Sequence, residues 1–409
     1  MPSRKYVLGA LGSLRLALML ITSCGIAVQA SAATGAYEEG IRLMGGKKYE
    51  EARKAFDRAI KLNPESAKAF QARGAALGEL GQYQHAIADF TQAIRLNPRF
   101  TDAYSNRAVA RINFEGYQQF KEGEKYKPRE QHHRMALADC NQAIKIQPKS
   151  AQNYVSRGDV YAWLGQHAKA VDDYTRAITM SPKSADCYIA RGNYYHDLGR
   201  DDKAINDYTK AISLNPRNAV AYYRRGQVYE WLPARTKAID DYSAAIRLDP
   251  KCIDYYRSRA NVYIDLGQLA RELDDRSTVI SLDPKSSDAY CERGTTLYSL
   301  GLCRRATDDL KTAIDLDRKN TRAFLYLGRC YHALGDYQDE VDNWTAAISI
   351  DPREVAYYGQ RARAYEQLGR RELSQKDRAK VRALGWLSSD TPDITGSQIS
   401  VFSPISFHW

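Results

Sequence analysis

The sequence predicts an all-α solenoid of about ten helix-turn-helix units, and three observations carry that reading. A proline recurs at Pro64, Pro98, Pro148, Pro182, Pro216, Pro250, Pro284 and Pro352. The spacing is 34 residues or a multiple of it, apart from a sixteen-residue excess before Pro148 and Arg318 where one proline is missing. Within each period, apolar residues return after three and four places, which is helical and not strand periodicity. The same small and aromatic residues also occupy the same places in copy after copy. A fixed period of this length marks stacked helical hairpins, none of which can bury its apolar face without its neighbours. One elongated domain is therefore expected from 409 residues, since such an array grows lengthwise without needing a larger core.

The first 32 residues stand outside the period. Arg4, Lys5 and Arg15 precede an apolar run from Leu16 to Val28, and Ala30-Ser31-Ala32 stands before Ala33. This is the layout of a secretory leader ending at residue 32, and the run is too short to span a bilayer as a helix. The segment also reads a second way, because Leu20-Ile21-Thr22-Ser23-Cys24 resembles the lipobox at which bacterial lipoproteins are cut and acylated, although Arg15 lies unusually close to that cysteine. A retained N-terminal anchor is the third reading. Cleavage or acylation would place the array outside the cytoplasm, in a periplasm, cell envelope or secreted, with membrane association through Cys24 or a retained segment.

The net charge of +11 falls to +8 once Arg4, Lys5 and Arg15 leave with the leader. The basic residues are scattered through the repeats without forming a stripe, so no nucleic-acid partner is expected, and the excess charge suits loose attraction to anionic surfaces. Six cysteines follow the leader: Cys140, Cys187, Cys252, Cys291, Cys303 and Cys330. They fall at unrelated places within their units and read mainly as small core fillers. Cys303 and Cys330, on neighbouring units, are the one pair that invites a disulfide. No CxxC motif occurs, and His132 and His133 have no further ligands beside them, so neither a metal nor any other cofactor is expected.

Ten units are counted from Ala33 to about Trp386. In residues 185–216, ADCYIARGNYYHDLGRDDKAINDYTKAISLNP, the residues Tyr188, Gly192, Tyr195, Ala204, Tyr208, Ala211 and Pro216 fall at the small and aromatic signature places of the tetratricopeptide repeat. The chain resembles that family over almost its whole length after the leader. The resemblance implies a right-handed superhelix in which Gly192 and Ala204 are small because two helices cross there, and Pro216 stops the second helix. It implies a binding scaffold and says little about activity.

The copies can be compared with one another. The seventh place is Arg73, Arg107, Arg157, Arg191, Arg225, Arg259, Arg293 and Arg361 in eight copies, and the matching second-helix place is Asp89, Asp139, Asp173, Asp207, Asp241, Asp275, Asp309 and Asp377. The two copies without the arginine, with Glu39 and Leu327, also lack the aspartate and show Ala55 and Asn343. An Arg to Asp bridge inside each hairpin follows, bidentate because guanidinium matches carboxylate. Two tyrosine ladders, Tyr161, Tyr195, Tyr229, Tyr263, Tyr331 and Tyr365 in one and Tyr174, Tyr208 and Tyr242 in the other, read as core because they repeat with the fold.

Taken in order, the units differ at four places. The third carries an insertion, about 115–131, expected to lengthen its helices or project a loop broken at Pro128. In the fourth to seventh, the places that line the groove in the family hold Asp159, Trp163, Asp186, Asn193, His196, Asp197, Tyr223, Gln227, Glu230, Trp231, Asp254, Asn261 and Asp265. This stretch is aromatic and acidic in a basic chain, a cradle for a protein or peptide with basic and apolar side chains. The seventh unit puts Glu272, Arg276 and Val279 where others have Ala, an aromatic and Ala, and is expected to open first. The last two units carry Arg322, Arg329 and Arg363, and residues 387–409 form a Ser-rich tail ending in Phe402, Ile405, Phe407 and Trp409.

No phosphate loop, nucleophile elbow or isolated carboxylate dyad rises above the repeat background, so no enzyme is expected. A scaffold holding a peptide or partner protein in its groove is the first reading. A structural part of an envelope or secretion assembly is the second, and a polysaccharide-handling accessory the third.

Overall fold

The computed structural model describes residues 29–122 and 130–384. Every regular element among them is a helix, and the helices pair in chain order into ten hairpins. The first hairpin is α1, 29–45, with α2 (Tyr49–Leu62). Then come α3 (Ala67–Glu79) with α4 (Tyr83–Leu96), α5 (Thr101–Glu122) with α6 (Glu130–Ile146), α7 (Ala151–Trp163) with α8 (His167–Met180), and α9 (Ala185–Asp197) with α10 (Asp201–Leu214). The later pairs are α11 (Ala219–Trp231) with α12 (Arg235–Leu248), α13 (Ile253–Asp265) with α14 (Leu269–Leu282), α15 (Ser287–Ser299) with α16 (Cys303–Leu316), α17 (Thr321–Leu334) with α18 (Tyr337–Ile350), and α19 (Val355–Gln367) with α20 (Arg371–Ala383). The chain divides into two compact bodies, the first ending at Val228 and the second starting at Tyr229. No described helix is long and apolar enough to cross a membrane. Residues 1–28 of the leader, Cys24 among them, and residues 385–409, which include the whole 387–409 tail, lie outside the described residues; residues 29–32 open α1.

Turn chemistry sets the hairpin ends. At the close of α9, Gly199 takes φ +65°, a left-handed backbone that favours glycine, and its N–H caps the His196 carbonyl at 2.8 Å. The equivalent place in the sixth hairpin is Pro233, just after Trp231, so that corner is built differently. At the far end of α10, Asn215 accepts from the Arg217 N–H at 3.2 Å, and Pro216 bars continuation of the helix.

Ala204, Tyr208 and Ala211 of α10 are buried, as their repetition predicts. The glycine opposite them has a sharper purpose than a close helix crossing. A Cβ on Gly192 would lie 2.9 Å from the Tyr208 ring, so the glycine seats an aromatic side chain. Gly40 with Phe56, Gly74 with Phe90, Gly158 with Tyr174 and Gly328 with Trp344 repeat the arrangement. In three units without the ring the glycine is absent too, with Ala108, Ala260 and Ala362 at that place opposite Cys140, Arg276 and Arg378, whereas the eighth hairpin keeps Gly294 and seats Leu310 on it.

The insertion lengthens both helices of the third hairpin, to 22 residues in α5 and 17 in α6. Residues 123–129, with Pro128, lie outside the described residues. His132 pairs through Nδ1 with the buried Glu115 where the two extensions run together. The seventh hairpin replaces apolar packing with buried charge. Arg276 donates to Glu272 at 3.0 Å and Asn261 at 3.1 Å and also bonds Glu292, while Glu272 accepts from Thr296 at 2.7 Å. Its other oxygen, Oε2, is buried without a hydrogen-bond partner.

Candidate functional site

The repeated charges are structural. In the seven pairs that lie within one body, Arg73, Arg107, Arg157, Arg191, Arg259, Arg293 and Arg361 each donate Nε and Nη2 to both oxygens of their own hairpin's aspartate. For Arg191 both bonds to Asp207 are 2.8 Å. Hydrogen bonding to Asp207 raises the Arg191 pKa, against burial, which lowers it.

The third nitrogen does what the sequence reading missed. Nη1 reaches back to the second helix of the preceding hairpin, from Arg191 to the Thr175 hydroxyl at 3.1 Å, from Arg157 to Asn141 at 2.8 Å and from Arg361 to Thr345 at 3.0 Å. Each guanidinium therefore closes its own hairpin and fastens it to the one before. The signal was present as a polar residue two places beyond each aspartate position, Thr91, Asn141, Thr175, Thr209, Ser243, Ser277 and Thr345.

The two tyrosine ladders also separate. Tyr174, Tyr208 and Tyr242 are core, as expected, and so are Tyr263 and Tyr331 of the other ladder, whose remaining described members are half-buried. The other ladder is capped by cations: Arg157 and Lys169 over Tyr161, Arg191 and Lys203 over Tyr195, Arg259 and Arg271 over Tyr263, with centroid distances of 5.4 to 6.0 Å. These rings are thus engaged by the scaffold's own charges.

With the repeated contacts assigned, the remaining side chains are the candidate site. In the first body, the hydroxyls of the core tyrosines reach through the hairpin to the first helix. Tyr174 donates to Asp159 at 2.7 Å and Tyr208 to Asn193 at 2.8 Å, which fixes both acceptors' rotamers. Asp159 is open to water on its outer side, yet the protein around it lifts its carboxyl to about 6, against the lowering effect of the Tyr174 hydrogen bond. His196 is half-buried with Nδ1 2.8 Å from Asp201, and Asp197 is exposed. Gln227 accepts from Arg224 at 3.1 Å and donates to the Tyr223 hydroxyl at 3.2 Å. Trp163 is half-buried, edge-on to His133 at 4.9 Å and packed on the cluster of Ile112, Cys140 and Val160.

In the second body, Trp231 is 68% exposed, unlike Trp163. Glu230 beside it accepts from the Tyr242 hydroxyl at 2.6 Å, and burial raises its carboxyl pKa above the usual range. One hairpin on, Asn261 and Asp265 are exposed, Asp265 pairs with Arg235 at 3.3 Å, and the apolar Ile264 and Leu266 on either side of it are exposed as well. Sequence reasoning missed Ile264 and Leu266 because an apolar residue in a helix reads by default as core. Arg322 and Arg329 of α17 both stack on Tyr326, at 5.9 and 5.2 Å. No group of three or more histidine, cysteine or acidic side chains among the described residues could hold a metal.

Family models described as TPR repeat match residues 42–81, 158–199 and 192–231, and models described as tetratricopeptide repeat match 67–100 and 291–353. No curated protein sequence matches the chain significantly. Among solved structures, it is similar to TTC0263, a thermophilic TPR protein of Thermus thermophilus, at 23% identity over 48% of this chain and 98% of that one, with a TM-score of 0.44. It is similar to yeast Tom70 at 15% identity over 87% and 92% of the two chains, with a TM-score of 0.37. The human IFIT1 dimer with m7Gppp-AAAA is similar at 15% identity over 93% and 88%, with a TM-score of 0.46. Matched by repeat models in both bodies, and built from helical hairpins most of which carry the repeat's small, aromatic and proline places, the chain belongs to the tetratricopeptide-repeat family.

Proposed function

We propose that this protein is a binding scaffold working outside the cytoplasm, which holds a peptide or partner-protein segment bearing basic and apolar side chains. Proteins of this family generally mediate protein–protein interaction, and a helical-repeat scaffold is typically not an enzyme. The observation that carries the finer reading is Trp231, a large ring left 68% exposed at the end of a first helix, with carboxylates at Glu230 and Asp265 and apolar surface at Ile264 and Leu266. An exposed tryptophan beside carboxylates suits a segment that brings both a cation and an apolar side chain. Within the first body, Asp159, Asn193, His196, Asp197, Tyr223 and Gln227 form a polar, aromatic set of their own. Export rests on the leader-like sequence of residues 1–32, and lipid attachment on Cys24.

The test is selection of binders from a random peptide display library against the full array, followed by affinity measurement. Peptides enriched in Lys or Arg with Leu or aromatic residues are expected, and Trp231→Ala should weaken them about 30-fold, a hot-spot loss of ~2 kcal/mol, with the helical circular dichroism unchanged. Neutral or acidic enriched peptides, or equal affinity for both proteins, would refute the reading. N-terminal sequencing of the protein from its host tests the export: a start at Ala33 or an acylated Cys24 is expected, and an intact Met1 on a protein in the cytosolic fraction would overturn it.

A further inference from the structure

Cys303 is the first residue of α16 and Cys330 lies inside α17, 27 residues on. Their side chains meet where the eighth hairpin packs on the ninth. Cys303 packs against the buried cluster that holds Cys330, Leu310 and Tyr331, and its thiol lies near enough to act on that of Cys330. Both are free thiols.

The contact belongs to the repeat and not to one rotamer. The same two places, again 27 residues apart, are His167 and Tyr194, and there the imidazole Nδ1 lies 2.7 Å from the phenol oxygen. The backbone thus brings this pair of side chains together wherever their chemistry allows. Elsewhere the two places hold Tyr83 and Ala110, Asp201 and Val228, or Leu269 and Thr296, and Cys303 with Cys330 is the copy in which both are thiols.

We propose that Cys303 and Cys330 form a reversible disulfide, a modification site that covalently fastens the eighth hairpin to the ninth. The two cysteines differ in a way that orders the reaction. Cys303 is half-buried in the first turn of its helix, whereas Cys330 is wholly buried and burial pushes its thiol up to about 12. Cys303, as the thiolate, attacks one sulfur of a small-molecule disulfide. That S–S bond breaks, and one thiolate leaves and takes up a proton. Cys330 then loses its proton and attacks Cys303 Sγ in the mixed disulfide, expelling the second thiol. In sum, one external disulfide is reduced to two thiols and the two protein thiols are oxidised, losing two hydrogens. Packing of Cys303 on the cluster that holds Cys330 puts the two side chains on the same joint, where the bond can form once the sulfurs close to its geometric limits. The consequence is local: opening at this joint, which in a repeat array costs only a nearest-neighbour interface, becomes restricted.

The full-length folded protein is incubated with oxidised glutathione, its remaining thiols are alkylated, and tryptic peptides are analysed by mass spectrometry without reduction. The expected product is peptide Gly294–Arg304 joined to peptide Cys330–Arg353, two hydrogens lighter than the separate pair and lost on treatment with dithiothreitol. Cys303→Ser, checked for native helicity, should abolish it and leave Cys330 unmodified, because the accessible partner is gone. Cys330→Ser, checked likewise, should trap glutathione on Cys303. The proposal is overturned if wild-type Cys303 ends as a stable glutathione adduct, if either cysteine links to another such as Cys291, or if both are recovered alkylated.

Discussion

Replacing Arg191 with leucine tests how much of the array depends on the repeated clasp. The change removes two charge-assisted bonds of 2.8 Å to Asp207 and one of 3.1 Å to Thr175. It leaves the Asp207 carboxylate, only 6% exposed, without its cation. Breaking a fully buried pair costs about 3–5 kcal/mol, mostly through the stranded charge. The Arg191 side chain keeps 19% of its surface exposed, so water screens part of the field, and a local cost of roughly 2–3 kcal/mol is the reasonable figure. Because repeats open locally, the readout is native-state amide exchange in α9 and α10, where a loss of that size should speed exchange about 30- to 140-fold. Asp207→Leu should cost less, since the freed arginine can turn toward water. The double substitution should fall short of the sum of the two by at least about 1 kcal/mol. Thr175→Val removes only the bond to the preceding hairpin and should cost about 0.5–1.5 kcal/mol, seen at the packing of α8 on α9. Exchange changed less than threefold by Arg191→Leu, with additive single effects, would refute the view that the clasp holds the hairpins.

The remaining expectations are each checked by one measurement. The Asp159 carboxyl is raised to about 6 from an ordinary 3.8, so its contribution to stability is fully present below the ordinary value and is lost as pH rises through 6; Asp159→Asn should flatten thermal stability between pH 4 and pH 7. A wild-type profile that rises with pH over this window and is unaffected by the substitution would contradict that sign. Gly192→Ala places a methyl 2.9 Å from the Tyr208 ring and should destabilise by about 1–3 kcal/mol, while Gly192→Ala with Tyr208→Leu should recover much of the loss; denaturation of both variants decides it. In the seventh hairpin, Glu272→Ala, Arg276→Tyr and Ala260→Gly together restore the regular ring and its seat. Replacing a buried ion pair with fitted apolar packing is often stabilising by about 1–4 kcal/mol, so α13 and α14 should gain exchange protection over wild type, in which this hairpin should open first. Wild-type protection equal to that of the sixth and eighth hairpins would show that the charged network is not a weak joint.

The sequence by itself determined the fold, its period and the residues that close each hairpin, because a repeat prints the same packing demand many times. Co-occurrence of Arg191 with Asp207, and its parallel loss at Glu39 with Ala55 and at Leu327 with Asn343, is legible without coordinates. So is the place of the insertion in the third hairpin, although the choice between longer helices and a projecting loop was not. What only the tertiary structure decided is direction and exposure. The arginine's third nitrogen turns back to Thr175, Gly192 serves the Tyr208 ring, and a hydroxyl from the second helix holds Asp159 on the first. Two tryptophans at the same place in their units are equal in sequence, yet Trp163 is half-buried against His133 while Trp231 stands open at a corner built with Pro233 instead of glycine. The physical reason is that periodicity reports what every unit must satisfy. A side chain's neighbours in the adjoining hairpin, which settle whether it packs, pairs or stays free for a partner, are contacts of the assembled stack.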